Sequence, residues 1–192
     1  MAIELSEVRI FIADDGTVTR TRHEVYRLLS SDPGSAWTHA YAFWSPGRDA
    51  EPELSATVVS PDGTTVRLDP KTVSDQADRD DDGLITDNKL RLAPLPNLSV
   101  GAVVDRTAVT RGKSLFDLGA SVVEALSNRA PEKKRVVEID VPASAPLHTE
   151  ILNSALTFVR TERDGRVHLR IDCGATTPPH DEEPGGPSVE VP

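Results

Sequence analysis

The sequence predicts an all-β fold, an antiparallel β-sandwich with several Asp-Gly hairpins and little helix. Apolar residues recur at every second position in many short segments, and no long segment repeats at the helical period of about 3.6 residues. Asp-Gly pairs separate several of these segments, and Asp-Gly tolerates the positive backbone angles of tight hairpin turns. Short strands joined by tight turns are typical of sandwiches, in which two sheets cover a shared core.

The alternation is clearest near the end of the chain, where Val167, Leu169 and Ile171 alternate with charged residues and histidine. This pattern predicts a strand over Arg166–Asp172 that buries one face and exposes the other. Ser121–Leu126 also suits a strand, although one or two helical turns fit it as well. The other predicted strands are Val8–Ile12, Thr17–Leu29, Ser55–Val59, Thr64–Leu68, Lys89–Leu92, Ala102–Val109, Val137–Val141 and Leu156–Thr161.

Three hairpins are predicted where an Asp-Gly pair stands between two such strands. The first joins the two N-terminal strands, the second follows a proline in the middle of the chain, and the third precedes Arg166. The pairs are Asp15-Gly16, Asp62-Gly63 and Asp164-Gly165.

The domain organisation follows from composition along the chain. We find no internal repeat and no internal linker, so residues 1–173 are expected to form one sandwich domain. From Gly174 the sequence is rich in proline, glycine and acidic residues, which bury too little apolar surface to offset the entropy of ordering. Residues 174–192 are therefore expected to be a flexible, acidic, proline-rich tail or linker.

The charge balance narrows the classes of partner. The chain has 31 Asp and Glu against 21 Lys and Arg, a net charge of −10. This acid excess disfavours a nucleic-acid-binding protein, which needs a basic face for phosphates. No apolar run approaches the roughly 20 residues of a membrane span. Met1–Asp15 also lacks the basic and then apolar order of a signal peptide.

The acidic segment Asp78–Thr86 matches the first nine positions of a calcium-binding loop. Carboxylates at alternate positions converge on one hard cation, and Gly83 permits the sharp turn. The twelfth position, where a bidentate glutamate belongs, is Lys89, and flanking helices are absent. An acidic solvated loop is therefore the other interpretation. The candidate metal ligands are Asp78, Asp80, Asp82 and the backbone carbonyl of Leu84.

No sequence motif indicates catalysis. Cys173, the single cysteine, continues the apolar face of its predicted strand, so we expect a small buried side chain and not a nucleophile. The five histidines are dispersed, and no nucleophile elbow is present. We therefore expect no enzymatic activity and no resident cofactor other than calcium. A hydrolase site assembled only in the folded chain is the third hypothesis.

The order of three segments resembles DUF3857, a bacterial domain that typically precedes a transglutaminase-like domain. Residues 16–29 are similar to the opening hairpin of that family, and residues 54–70 to its strand before an Asp-Gly-Thr turn. Residues 95–105 are similar to its proline- and glycine-containing approach to a central strand. Two departures stand out. Asp105-Arg106 replaces a frequent Glu-Tyr, and Val122–Leu126 lacks the expected aromatic run.

The resemblance implies an accessory domain without catalytic residues of its own. The Cys, His and Asp residues of a transglutaminase-like domain would lie beyond residue 192. The implied partner is that adjacent domain or another protein, and the implied parent is exported or associated with the cell envelope. We therefore expect a protein-interaction or positioning module. The alternative is a calcium-stabilised binding or adhesion sandwich that uses the Asp78–Thr86 loop.

Overall fold

The computed structural model describes residues 1–78, 87–113, 122–126, 130–152, 154–177 and 188–191. The all-β class predicted from the sequence is confirmed, because these residues form mainly strands with two very short helical segments. The elements are β1 (Ala2–Ile12), β2 (Thr17–Arg27), α1 (Ser35–Thr38), β3 (His39–Trp44), β4 (Asp49–Val59), β5 (Thr65–Arg67), a 3₁₀ turn (Pro70–Thr72), β6 (Ser74–Ala77), β7 (Lys89–Pro94), β8 (Val103–Lys113), β9 (Val122–Ala125), β10 (Glu132–Pro142), β11 (Glu150–Leu152), β12 (Val159–Arg163), β13 (Arg166–Thr176) and β14 (Ser188–Val191).

The strands form one large sheet and two small sheets. The large sheet has eight strands in the order β12-β13-β10-β1-β2-β8-β4-β5. The first small sheet has the order β3-β7-β6, and the second has the order β11-β14-β9. All neighbouring strands are antiparallel except β1 and β10, which pair in parallel near the middle of the large sheet.

Two apolar cores separate the large sheet from the small sheets. In the first core, Tyr26 and Val104 of the large sheet pack with Ala40 and Ala93 of the first small sheet. In the second core, residues of β1, β10 and β13 pack with Leu126, which directly follows β9 of the second small sheet. Both small sheets thus cover the large sheet, and the fold is a two-layer sandwich.

Both cores lie on the same face of the large sheet. Ile3 pairs with Tyr26 and Val8 pairs with Arg22, and these two partners on β2 are an even number of residues apart. Side chains alternate between the two faces along a strand, so Ile3 and Val8 point to one face. Residues 3 and 8 are an odd number of positions apart on β1, and they share a face because the register shifts between Ile3 and Leu5. We call this face of the large sheet the inner face.

Each of the three Asp-Gly pairs lies between two paired antiparallel strands. In the first turn, the amide of Thr17 donates to Asp15 Oδ1 over 3.0 Å. The third turn places both Asp164 and Gly165 in the left-handed region, at φ 54° and 73°. Such angles are accessible to glycine and, at modest cost, to aspartate, which explains why this dipeptide specifies the turns.

Several elements differ from the sequence prediction. Residues Val122–Ala125 form a strand, so the helical alternative for this segment is wrong. The strands β3, β6, β11 and β14 were not predicted. The predicted boundary at residues 173–174 falls inside β13, and β14 lies within the segment that we expected to be a tail. The single-domain division itself stays a prediction.

The aromatic strand β3 shows why the alternation was missed. Two of its buried positions are the small residues Ala40 and Ala42, whereas Phe43 is 55% exposed and Tyr41 is half-buried. Trp44 is also buried, so only Tyr41 and Phe43 lie on the less buried face of the strand, and small residues occupy the other two buried positions. Within the described ranges, no helix is long and apolar enough to span a membrane.

Candidate functional site

A groove of 520 Å³ opens on the inner face between the two small sheets. We call it the arginine groove, because guanidinium groups from three strands of the large sheet line it. Its other walls are the segment Pro33–Trp37, Tyr41 of β3, and Glu124 and Ala125 of β9. The three arginines are Arg22 on β2, Arg106 on β8 and Arg135 on β10.

The charges reach this position because of strand alternation. Arg20, Arg22 and Glu24 occupy the same face of β2 as the buried Tyr26. Glu24 lies directly opposite Arg106 on β8. The inner face therefore changes along the strands from an apolar core to a band of charged residues.

The first charged cluster, which we call the Arg106 centre, is compact and nearly saturated with hydrogen bonds. Arg106 Nε donates to Glu24 Oε2 over 2.9 Å, and Arg106 Nη2 forms an ion pair with the same oxygen at 2.7 Å. Its Nη1 donates to the carbonyl oxygens of Ala36 and His39 over 2.7 and 2.6 Å. Since Arg106 is on the large sheet and the two carbonyls belong to α1 and β3, this side chain ties the first small sheet to the large one.

Three aromatic rings surround the Arg106 guanidinium. Its central carbon lies 5.1, 5.4 and 5.2 Å from the ring centroids of Tyr26, Trp37 and Tyr41. Burial alone would lower the pKa of Arg106, but its pairing with Glu24 and the neighbouring Tyr26 and Tyr41 together outweigh burial and raise the pKa above the ordinary value. The Tyr26 hydroxyl donates to the Trp37 carbonyl over 2.8 Å, and burial raises the pKa of Tyr26 to about 12.

The second cluster, the Arg135 centre, ties the second small sheet to the large one. Arg135 Nη2 donates to the carbonyl of Ala125 on β9 over 2.6 Å and to Glu124 Oε1 over 3.2 Å. Its Nη1 donates to Ser6 Oγ over 2.9 Å and to Glu132 Oε1 over 3.1 Å. Every one of these partners except Ala125 is buried.

Glu124 is shared between three guanidinium groups. Besides Arg135, it forms an ion pair with Arg20, and its Oε1 lies 3.7 Å from Arg22 Nη2. The Glu124 side chain is only 2% exposed, whereas that of Arg22 is 43% exposed at the groove. Burial, reinforced by the neighbouring Arg22 and Arg135, lowers the pKa of Arg20 to about 10. Three guanidinium groups therefore meet at one buried carboxylate, so positive charge accumulates here.

The candidate calcium ligands are only partly within the described residues. Asp78 follows β6, and its amide donates to the carbonyl of Asn88 over 3.0 Å. Asp80, Asp82 and Leu84 lie outside the described residues. The rest of the described chain contains no group of three or more His, Cys, Asp or Glu side chains placed to hold a metal. The calcium loop stays a prediction.

Cys173 lies where the alternation placed it. It is half-buried on β13 and packs against the second core. Burial raises the pKa of its thiol, which keeps the protonated form dominant at neutral pH. Two histidines on the opposite, outer face pair with carboxylates: His23 Nε2 lies 3.0 Å from Asp105, and His168 Nδ1 lies 2.5 Å from Asp140.

The sequence analysis did not identify the groove arginines. One signal was available, because Arg20, Arg22 and Glu24 share the alternation phase of Tyr26 and Leu28 within the strand predicted at Thr17–Leu29. A run of charges in phase with buried residues indicates paired charges on an inner face. Arg106 was noted only as a departure from the family pattern.

Comparison with known proteins finds a similar fold within a longer protein. The chain superposes with a TM-score of 0.85 and 16% identity on a protein from Parabacteroides distasonis ATCC 8503 described as a "putative protease", covering 99% of this chain and 39% of that one. The M1 zinc metallopeptidase from Deinococcus radiodurans gives a TM-score of 0.47 at 13% identity, covering 99% and 42%. The chain thus spans less than half of either protein. No curated protein matches it.

The first of these similarities supports the fold alone. The sequence comparison adds the family. The model of a domain of unknown function with solved structure, DUF3857, matches residues 14–179, which is most of the chain. The resemblance of the three sequence segments to that domain is therefore confirmed, and the chain belongs to the DUF3857 family.

Proposed function

We propose that this chain is a non-catalytic accessory module that binds a protein segment and positions it relative to a catalytic domain. The observation that carries this proposal is the arginine groove. It is an open site of 520 Å³ between two sheets that are each held by a buried arginine. Rigid walls of this kind limit the entropy lost when a partner binds.

The chemistry of the groove supports binding more than catalysis. The buried members Glu24, Arg106 and Arg135 are engaged in hydrogen bonds with each other or with backbone carbonyls. A general base or nucleophile needs a group free to exchange a proton with substrate. The raised pKa of the Cys173 thiol also makes that residue a poor nucleophile.

The partner that we propose is a neighbouring transglutaminase-like domain. Support comes from family membership and from the similar fold in the Parabacteroides protein, where the matching part is 39% of the chain. In this arrangement the accessory module supplies the binding surface and the neighbouring domain supplies the reaction.

The experiment first reads the sequence that follows residue 192 in the gene. A transglutaminase-like domain found there is produced separately, and its absence contradicts the proposed partner. Hydrogen exchange of the chain is measured with and without that domain. We expect slower exchange of amides at the groove, in residues 34–38 and 122–125. The backbone amides next to Arg111, whose side chain lies on the outer face, provide the internal control. Equal exchange in both samples, or protection confined to the outer face, contradicts the proposal. Hydrolysis of casein or simple esters by the purified chain alone also contradicts it, if Arg22→Gln abolishes that hydrolysis.

A further inference from the structure

We propose that the arginine groove selects an acidic peptide segment and that Arg22 receives one of its carboxylates. This inference rests on the proposed function, because it names the chemistry of the segment that the module binds. The groove's charge balance, its partly exposed guanidinium group and its aromatic wall each contribute to the argument.

The charges around Glu124 do not balance among the described residues. Three guanidinium groups, from Arg20, Arg22 and Arg135, face two carboxylates, from Glu124 and Glu132. Glu132 also accepts a hydrogen bond from the Thr176 hydroxyl over 2.8 Å, so one of its two carboxylate oxygens is already used outside this cluster. One positive charge therefore has no counterpart in the described part of this cluster, although the whole chain carries a net charge of −10.

Arg22 is the group best placed to bind an external anion. Its nearest described carboxylate oxygen, on Glu124, is 3.7 Å away, which is beyond hydrogen-bond distance. Its side chain is 43% exposed and forms part of the groove wall. A guanidinium presents a planar fork that donates two parallel hydrogen bonds to a carboxylate. In a partly enclosed groove this pairing is stronger than at an open surface.

The rest of the groove suits a peptide. Trp37 and Tyr41 offer apolar surface beside the charges, and residues 34–36 form an exposed rim. A volume of 520 Å³ accommodates a few side chains and no folded domain. The acid excess elsewhere on the chain repels a long polyanion such as nucleic acid, whereas a short acidic segment contacts mainly the groove.

The test measures binding of two synthetic peptides at low ionic strength. The probe is N-acetylated, C-amidated tetraglutamate, and the matched peptide is tetraglutamine. Tryptophan fluorescence is the signal, because Trp37 lies in the groove wall. We expect saturable binding of tetraglutamate that weakens as salt is added, and binding of tetraglutamine at least tenfold weaker.

Three variants locate the site. Arg22→Gln is expected to weaken tetraglutamate binding about tenfold, the loss of one charge-assisted pair. Arg22→Lys keeps the charge but loses the fork, so an intermediate affinity is expected. Arg111→Gln, on the outer face, removes a charge of the same sign and is expected to bind as the unaltered chain does. Thermal melting confirms that each variant is folded.

Several outcomes overturn the inference. Equal affinity for both peptides, or no effect of Arg22→Gln, excludes selection of carboxylates at Arg22. If inorganic phosphate or a short oligonucleotide binds the same site with higher affinity than tetraglutamate does, the groove is a phosphate-binding site. If the neighbouring domain still protects the groove from exchange while tetraglutamate fails to bind, the accessory function survives and only the acidic chemistry is wrong. Binding of tetraglutamate without any protection by the neighbouring domain supports the inference and rejects the proposed partner.

Discussion

The Arg106 centre and the Arg135 centre have the same architectural role in the two halves of the sandwich, yet they differ in charge balance. Each arginine projects from the large sheet and donates to backbone carbonyls of a small sheet. Arg106 faces one carboxylate, Glu24, and three aromatic rings. Arg135 instead shares Glu124 with two further arginines.

This difference predicts that stability and the proposed binding depend on different residues of one groove. At the Arg106 centre, opposite charges cancel and nearly all donors are used, so the cluster contributes to holding the layers together. At the Arg135 centre, the guanidinium of Arg22 also faces the groove, and its nearest described carboxylate oxygen is 3.7 Å away. The first centre is expected to respond to mutation mainly through unfolding, and the second also through added anions.

The largest expected effect comes from Arg106→Met. Removing the guanidinium leaves the Glu24 carboxylate buried without its partner, which typically costs about 3–5 kcal/mol of unfolding free energy. Urea denaturation at neutral pH measures the loss. Arg111→Met is the matched control, because its pair with Glu53 is exposed and is expected to cost below about 1 kcal/mol. A loss for Arg106→Met no larger than for this control contradicts the stabilising role of the Arg106 centre.

A double variant sharpens this result. Arg106→Met combined with Glu24→Leu removes both buried charges, and we expect it to recover much of the stability lost by the single variant. The physical reason is that the large cost arises from an unpaired buried charge and much less from the absence of the pair itself. If the double variant is less stable than the sum of the two single variants predicts, this explanation is wrong.

The next effect in size is expected for Glu124→Gln. Loss of this carboxylate leaves Arg20, Arg22 and Arg135 without their shared counter-ion, and we expect a cost of about 2–4 kcal/mol. Added sulfate is expected to raise the melting temperature of this variant more than that of the unaltered chain. Arg106→Met is the comparison, because it keeps Glu124 and therefore has only the smaller charge imbalance that the unaltered Arg135 centre has. Equal responses to sulfate in Glu124→Gln and Arg106→Met contradict the charge imbalance that we describe.

Tyr26→Phe is expected to have a smaller effect, about 1 kcal/mol at neutral pH, because the Trp37 carbonyl loses its donor. The raised pKa of Tyr26 also predicts how the stability of the fold changes with pH. The folded pKa of Tyr26 is raised from 10.0 to about 12, so its contribution to stability is complete below pH 10 and is lost as the pH rises toward 12. Urea denaturation between these pH values is expected to show a shallower decline for Tyr26→Phe. A decline as steep as that of the unaltered chain contradicts the assignment.

The smallest expected effect concerns the candidate calcium loop, whose residues belong to neither of the two arginine centres. Without the bidentate ligand at its twelfth position, the loop is expected to bind calcium weakly. Calcium at a concentration equal to its Kd stabilises the fold by about 0.4 kcal/mol. Thermal melting in millimolar calcium measures this shift, with Asp82→Asn as the variant that abolishes it. A melting temperature unmoved by calcium shows that the loop is only acidic.

The sequence predicted the fold class better than the candidate site, for a physical reason. Alternation and Asp-Gly turns are local, so the strand predicted at Arg166–Asp172 and the three hairpins could be derived from neighbouring residues. The charged pairs are not local: Glu24 and Arg106 are 82 residues apart, and Ser6 and Arg135 are 129 apart. Their contact depends on the order of strands in the sheet, and no spacing in the sequence reveals that order.

The parallel pairing of β1 with β10 has a consequence for how the chain folds. Ile3 pairs with Glu132, so the strand at the beginning of the sequence completes its pairing only after more than half of the chain is available. At about 5–20 residues per second, ribosomal synthesis separates these two strands by roughly 6–26 s. During that interval β1, β2, β8 and β4 are available to pair with each other, whereas one edge of β1 has no native partner. This delay makes the unfinished edge the point at which a chaperone, or an unwanted second strand, competes with native folding.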